Sequence, residues 1–114
     1  MKRYLGSEQL EQYRNYLQQE EHSEGTIDKY LRDIRQFISW LHGEPIDRSQ
    51  VSAWKNALFH QRLAPVTINS KLAALNGLFR MLGWHDCHSS YLKVQRRLFR
   101  DASRELSREE YEQL

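Results

Sequence analysis

Apolar side chains recur at intervals of three and four residues along most of the chain, the spacing that places them on one face of an α-helix. Four segments follow this pattern. Each begins with a residue that favours a helix start, and the second and fourth end at glycine or proline. The predicted helices run from the N-cap Ser7 to about Glu21, from the N-cap Ser23 to Leu41, from the N-cap Asp47 to about His60, and from Pro65 to Leu82.

The second and fourth helices carry the widest apolar stripes. The stripes are Ile27, Tyr30, Leu31, Ile34, Phe37, Ile38 and Leu41 in the second helix, and Ile68, Leu72, Leu75, Phe79 and Leu82 in the fourth. Both helices also begin with a Thr-Ile pair, so the two segments are similar in sequence. We predict a core made of these two stripes and closed by Val51, Trp54 and Leu58 of the third helix.

The first helix has a narrower apolar stripe, made of Leu10, Tyr13 and Leu17. Glutamate and glutamine residues occupy its other faces. A narrow stripe buries little apolar surface, so we expect a peripheral helix that packs weakly against the other three.

Charge is unevenly distributed along the chain, although the formal net charge is only +2. Residues 7–24 hold five glutamates against one arginine, whereas residues 61–100 hold seven lysines and arginines against one aspartate. This asymmetry favours one basic face over an evenly mixed surface.

The composition argues against several classes of function. No apolar run approaches the roughly 20 residues of a membrane span and no signal-peptide pattern is visible, so we expect a cytoplasmic protein without a membrane partner. The single cysteine cannot form an internal disulfide. His85, Cys87 and His88 lack a distant partner at a zinc-binding spacing, so we expect no metal and no other cofactor. Neither a glycine-rich phosphate loop nor a nucleophile-bearing turn is visible, so we expect no catalysis by this chain.

After the fourth helix the helical periodicity is lost and basic residues accumulate. Lys93, Arg96, Arg97 and Arg100 have no acidic residue among them, which indicates a basic linker. Ser107 and Glu110 then form a capping-box pattern about two turns before the chain stops. The expected divisions are a helical domain at 1–88, a flexible basic linker at 89–105 and the truncated start of a further domain at 106–114. We expect the chain to be mobile after about Ser89.

Several stretches together resemble the N-terminal core-binding domain of tyrosine recombinases, the phage-integrase family. They are SEGTIDKY at 23–30, residues 37–41, LAPVTINSKLAAL at 63–75, LKVQRR at 92–97 and RELSREEY at 104–111. The resemblance implies an all-α, four-helix, SAM-like orthogonal bundle that forms half of a clamp around duplex DNA at a recombination site. It also implies other recombinase protomers as partners of the full-length protein. The residues with which the family cuts DNA lie downstream, so the resemblance implies no catalytic residue here.

The resemblance also implies which residues face DNA: the polar starts of the two long helices and the linker. They are Ser23, Thr26 and Lys29 on the second helix, Thr67, Asn69, Ser70 and Lys71 on the fourth, Arg62 just before it, and Arg96 and Arg97 in the linker. Asp28 departs from this pattern, because an acid near a phosphate is unfavourable unless it points away or contacts a base amine. A helical protein-interaction module is the alternative, since SAM-like bundles also bind proteins.

Overall fold

The computed structural model describes residues 2–93, and within them the chain is helical without strands. The elements are α1 (Ser7–Gln19), α2 (Glu24–Leu41), α3 (Arg48–His60), α4 (Pro65–Leu82) and a short 3-10 turn (His85–Cys87). The predicted all-α, four-helix architecture is confirmed, and the bundle fits the SAM-like type. None of the helices in this part of the chain has the length and apolar character needed to cross a membrane.

The helix ends follow from local side-chain chemistry. Ser23 caps α2 by accepting a hydrogen bond from the Thr26 N–H at 3.2 Å, and Asp47 caps α3 through the Gln50 N–H at 2.8 Å. The prediction of Ser7 as the first N-cap is wrong. The cap is Gly6, whose N–H donates to the Gln9 side chain at 2.8 Å, because Gln9 reaches back over the first turn.

The core lies where the four helices meet. Its buried residues include every predicted member of the third helix and most of the two long stripes, while Tyr30, Ile38 and Leu82 lie half-buried at its rim. The core consists of Tyr13, Leu17, Ile27, Leu31, Ile34, Phe37, Leu41, Ile46, Val51, Trp54, Leu58, Ile68, Leu72, Ala74, Leu75, Leu78, Phe79 and Cys87.

Helix α4 is central, since it contacts α1, α2, α3 and the 3-10 turn. Its burial is therefore not confined to the predicted stripe. Ala74, Asn76 and Gly77 lie on other sides of the helix and are also buried. A helix surrounded in this way can place few of its polar residues in water, and this determines what those residues do.

Helix α1 packs more tightly than its narrow stripe predicts. Tyr13 is completely buried, and its hydroxyl donates a hydrogen bond to the Ala74 carbonyl oxygen at 3.0 Å. The Tyr13 hydroxyl oxygen would lie only 2.3 Å from a Cβ atom at Gly77, so α1 approaches α4 closely because position 77 has no side chain. The expectation of weak packing is wrong for this reason.

Candidate nucleic-acid interface

A buried carboxylate joins the two long helices. Asp33 of α2, with 3% of its side chain exposed, accepts from Lys29 Nζ at 2.5 Å and from Lys71 Nζ of α4 at 3.1 Å. Lys71 also donates to Gln36 Oε1 at 2.7 Å. Two of the predicted DNA-facing lysines therefore meet at one carboxylate, which leaves one positive charge in excess.

Helical spacing extends this cluster along both helices. Thr26 lies three residues before Lys29, and Thr67 lies four residues before Lys71, so each threonine lies one turn from its lysine on the same side of its helix. Ser70 adjoins Lys71 and is half-buried. We group the bonded residues with those that helical spacing places beside them and call the group the α2–α4 strip: Thr26, Lys29, Asp33, Gln36, Thr67, Ser70 and Lys71.

The two lysines of the strip differ in exposure. The Lys29 side chain is 38% exposed and that of Lys71 only 14%. A half-exposed ammonium group can contact a second anion without leaving its carboxylate, because an ammonium carries three N–H donors. Lys29 is thus the more available of the two cations, and Lys71 chiefly joins α2 to α4.

The beginning of α2 is bonded within itself and to α1. The Ser23 hydroxyl donates to Thr26 Oγ1 at 3.0 Å, in addition to its role as the cap. Arg14 of α1 lies 4.0 Å from Glu24 and 3.8 Å from Asp28. Asp28, the acid that departs from the family pattern, therefore lies beside the Arg14 guanidinium of α1.

The beginning of α4 is arranged differently. Its N-cap, Ala64, makes no side-chain hydrogen bond to the first turn, and Thr67 is exposed. Arg62 is exposed in the preceding connection, where it has the left-handed backbone conformation with φ 64°. A helix start without a side-chain cap keeps N–H donors available to water or an anion.

Asn69 is in a different situation from the other predicted residues of α4. Its side-chain amide donates to the Leu92 carbonyl oxygen at 2.8 Å and accepts from the Leu92 N–H at 2.7 Å. Successive residues turn by about 100° around a helix, so Asn69 and Lys71 point to nearly opposite sides of α4. The structure therefore brings Lys29 and Lys71 together at Asp33, and it places Asn69 on the other side of α4.

The chain stays bonded to the bundle beyond residue 88. Asn76 pairs with both backbone groups of Ser89 at 2.9 Å, and Lys55 Nζ donates to the Ser90 carbonyl oxygen at 2.6 Å. The expectation that mobility begins at about Ser89 therefore does not fit residues 89–92. The other linker predictions, including Arg96 and Arg97, and the predicted start of a further domain at 106–114 lie outside the described residues.

Cys87 is one of the three candidate metal ligands, with His85 and His88. It is buried, and the Arg3 guanidinium donates to its Sγ at 3.5 Å. Burial raises the pKa of this thiol, which disfavours the thiolate that binds metals. Among residues 2–93, no three His, Cys, Asp or Glu side chains are grouped as metal ligands would be.

Sequence reasoning missed Asp33, which organises the strip. A signal was present, because Lys29 and Asp33 are four residues apart, the spacing of an ion pair on a helix. The bond from Lys71 had no such signal, since the two residues are far apart in sequence.

Comparison with known families is consistent with this architecture. Residues 10–86 match the model of the phage integrase N-terminal SAM-like domain. The match begins in the first turn of α1 and ends in the 3-10 turn, so it includes nearly the whole bundle and more than half of the chain. No curated protein and no solved structure matches the chain. The chain therefore belongs to the phage integrase, or tyrosine recombinase, family, of which it contains the N-terminal SAM-like domain.

Proposed function

We propose that this domain grips duplex DNA at a recombination site through the α2–α4 strip, as the DNA-binding part of a site-specific recombinase. The observation that carries the proposal is the convergence of Lys29 and Lys71 on Asp33. This convergence unites polar residues from both long helices on one surface with an excess positive charge. Other protomers bound to the same DNA would be its protein partners.

The length of the strip fits this role. From Thr26 to Asp33 it extends about 10 Å along α2, and from Lys71 to Thr67 it extends about 6 Å along α4, at about 1.5 Å per residue. The major groove of DNA is about 12 Å wide. Exposed side chains along this length of α2 and α4 can therefore contact phosphates of one groove, while the buried Asp33 holds the two helices together.

A protein-interaction role is the alternative, and exposed apolar side chains favour it. Phe59 and Val66, near the α3–α4 connection, are 59% and 64% exposed. Trp40, Trp54 and Leu63 line an open groove of about 450 Å³ nearby. A partner protein docked there would bind with little dependence on salt, in contrast to DNA.

Two charge substitutions of opposite sign test the proposal. Lys29→Gln removes one positive charge from the strip, and Asp33→Asn removes its single negative charge. Because Asp33 is the buried partner of both lysines, Asp33→Asn also lowers stability, and its affinity is compared only if a thermal melt shows that it is folded at the temperature of the titration. Each phosphate neutralised by the protein contributes about −0.9 to the slope of log affinity against log salt. We expect Lys29→Gln to weaken binding and flatten the slope, and Asp33→Asn to strengthen binding and steepen it, by up to about 0.9 each.

The control is Glu44→Gln, at an exposed position in the α2–α3 connection. Affinities are measured by fluorescence anisotropy with a labelled duplex at several salt concentrations, after circular dichroism shows that each variant folds. If Asp33→Asn and Glu44→Gln change the affinity and the salt slope equally, the effect of Asp33→Asn comes from the net charge of the protein and not from its position in the strip. No binding of the unaltered chain at low salt would contradict the proposal and favour the protein-interaction role.

Lys71→Glu, a natural choice from the sequence, is unsuitable because it would put a second carboxylate against buried Asp33. Such a pair destabilises the fold before any effect on DNA can be measured.

The proposal also includes an expectation about chemistry. Within the family, strand transfer depends on residues downstream of this domain, so the chain alone should neither cleave nor join DNA. Incubation with labelled duplex followed by denaturing electrophoresis checks this point. A covalent protein–DNA adduct would contradict it.

A further inference from the structure

Two asparagines of α4 hold the chain that leaves the bundle. Asn76 exchanges two hydrogen bonds with the backbone of Ser89, both at 2.9 Å, and Asn69 exchanges two with that of Leu92, at 2.7 and 2.8 Å. Each side-chain amide thus donates one hydrogen bond to the backbone of a single residue and accepts one from it, the pairing that a neighbouring β-strand would provide. We call residues 88–93 the exit segment.

The spacing of the four residues fits an extended segment lying along a helix. Asn69 and Asn76 are seven residues apart, so they lie on the same side of α4, separated by about 10 Å at 1.5 Å per residue. Ser89 and Leu92 are three residues apart, which is also about 10 Å at 3.3 Å per residue. The exit segment therefore runs in register along α4, towards the beginning of that helix.

Further contacts hold the segment from both sides. Lys55 of α3 bonds the Ser90 carbonyl oxygen, and Tyr91 lines a small cavity with Tyr13, Gly77 and Arg80. Ser89 and Asn76 are buried, and Leu92 packs against the core. A segment bonded at the backbone of Ser89, Ser90 and Leu92 and packed on its apolar side has a defined path.

That path determines where the next cation lies. Lys93 is exposed and directly follows Leu92, so it lies within one residue of Asn69, near the beginning of α4. Lys71 lies on the nearly opposite side of the same helix. The exit segment thus brings a second lysine to the helix start that has no side-chain cap, so that α4 has a cation on either side.

We propose that Asn69 and Asn76 are positioning residues for DNA binding. They hold the exit segment along α4 so that Lys93 is delivered to the DNA-facing end of that helix. This inference rests on the proposed function. It also reassigns Asn69, which the family resemblance places among the DNA-facing residues, to a role carried out through Lys93.

The test exploits the fact that asparagine carries no charge. Loss of a direct neutral contact lowers affinity but leaves the salt slope unchanged, whereas loss of a positioned lysine flattens the slope. We expect Asn69→Ala in the full chain to flatten the slope by about 0.9, as Lys93→Gln should. The double variant should flatten it no further. Asn15→Ala, an exposed asparagine on α1, is the matched control and should change neither quantity.

Four results would overturn the inference. They are lower affinity of Asn69→Ala at an unchanged slope, which would indicate a direct contact; additive slope changes in the double variant; no effect of either single variant; and no DNA binding by the unaltered chain. The last result would also remove the proposed function, whereas the first three leave it intact if Lys29→Gln still weakens binding.

A second measurement does not require the variants to fold. Hydrogen exchange on the unaltered chain should show the amides of Ser89 and Leu92 protected, since both are bonded to asparagine side chains. Exchange at the rate of an unstructured peptide would overturn the inference independently of DNA.

Discussion

Helices α2 and α4 look alike in sequence but occupy different environments. Each has 18 residues, an apolar stripe and a Thr-Ile start. Helix α2 also contacts the three other helices, but it keeps an outer face on which Arg32 and Arg35 are exposed. Helix α4 is enclosed by the three other helices, the 3-10 turn and the exit segment.

The difference shows that a polar residue has a different meaning on each helix. On α2, most polar residues are exposed, and buried Asp33 is the exception. On α4, Asn69, Lys71 and Asn76 all form hydrogen bonds to other segments of the chain. An amphipathic pattern therefore identifies which residues can be buried, but it does not identify which polar residues remain available for a ligand.

The largest expected effect is at the centre of α4. Leu75 is completely buried, so Leu75→Ala should lower the free energy of unfolding by about 2–5 kcal/mol. Ile38→Ala, at a half-buried position on α2, should cost less because the residue already contacts water. Urea denaturation of both variants checks this. Equal losses would contradict the difference in burial between Leu75 and Ile38.

The second-largest loss of stability is expected when the buried Asn76 is replaced. Asn76→Ala leaves the N–H and carbonyl groups of buried Ser89 unpaired, which should cost about 1–3 kcal/mol. The exposed control Asn15→Ala should change stability by less than about 0.5 kcal/mol. Equal free energies of unfolding for the two variants would contradict the role of Asn76 in holding the exit segment.

A glycine pair sharpens the same comparison. Gly77→Ala on α4 forces a methyl group against the Tyr13 hydroxyl, and we expect a net loss of about 1–2 kcal/mol after the better helix propensity of alanine is included. Gly25→Ala on α2 meets no atom within 4 Å and should be neutral or stabilising by up to about 1 kcal/mol. Thermal melts of both variants measure the difference. A stabilised Gly77→Ala would mean that α1 does not pack closely on α4.

The smallest expected effect on stability concerns α3, whose N-cap is the charged Asp47. The Gln50 N–H and the Ser49 hydroxyl hold the pKa of Asp47 below its usual value. Because the pKa is lower in the folded state, this carboxylate contributes stability above its unfolded pKa and loses that contribution as the pH falls through its folded pKa. The stability difference between the unaltered chain and Asp47→Asn should therefore shrink on acidification, whereas Ser23, the cap of α2, carries no titrating group. Denaturation at several pH values checks this, and a difference that grows towards low pH would contradict it.

Local features of the fold were predictable from the sequence, and contacts between distant segments were not. The caps Ser23 and Asp47 and the end of α4 at Gly83 depend on residues within one turn, so the sequence predicts them. Tyr13 shows the limit, because its burial depends on the absence of a side chain at position 77 of another helix.

The candidate site divides in the same way. Membership of the family was predictable from the stretches that resemble it, and the two long helices were predictable from their apolar periodicity. Whether Lys71 and Asn69 are available to DNA was not, because their partners Asp33 and Leu92 come from other segments. Arg96 and Arg97 remain predictions from the sequence.

The most direct test of the α2–α4 strip is an NMR titration of the ¹⁵N-labelled chain with a short DNA duplex at low salt. We expect the largest amide shift changes at Thr26, Lys29, Thr67 and Ser70, and we expect them to diminish as salt is added. Amides on the outer face of α1, such as Glu11 and Gln18, should stay unchanged. Shift changes confined to α1, or to Phe59 and the groove lined by Trp40, Trp54 and Leu63, would contradict the assignment of the α2–α4 strip as the surface that binds DNA.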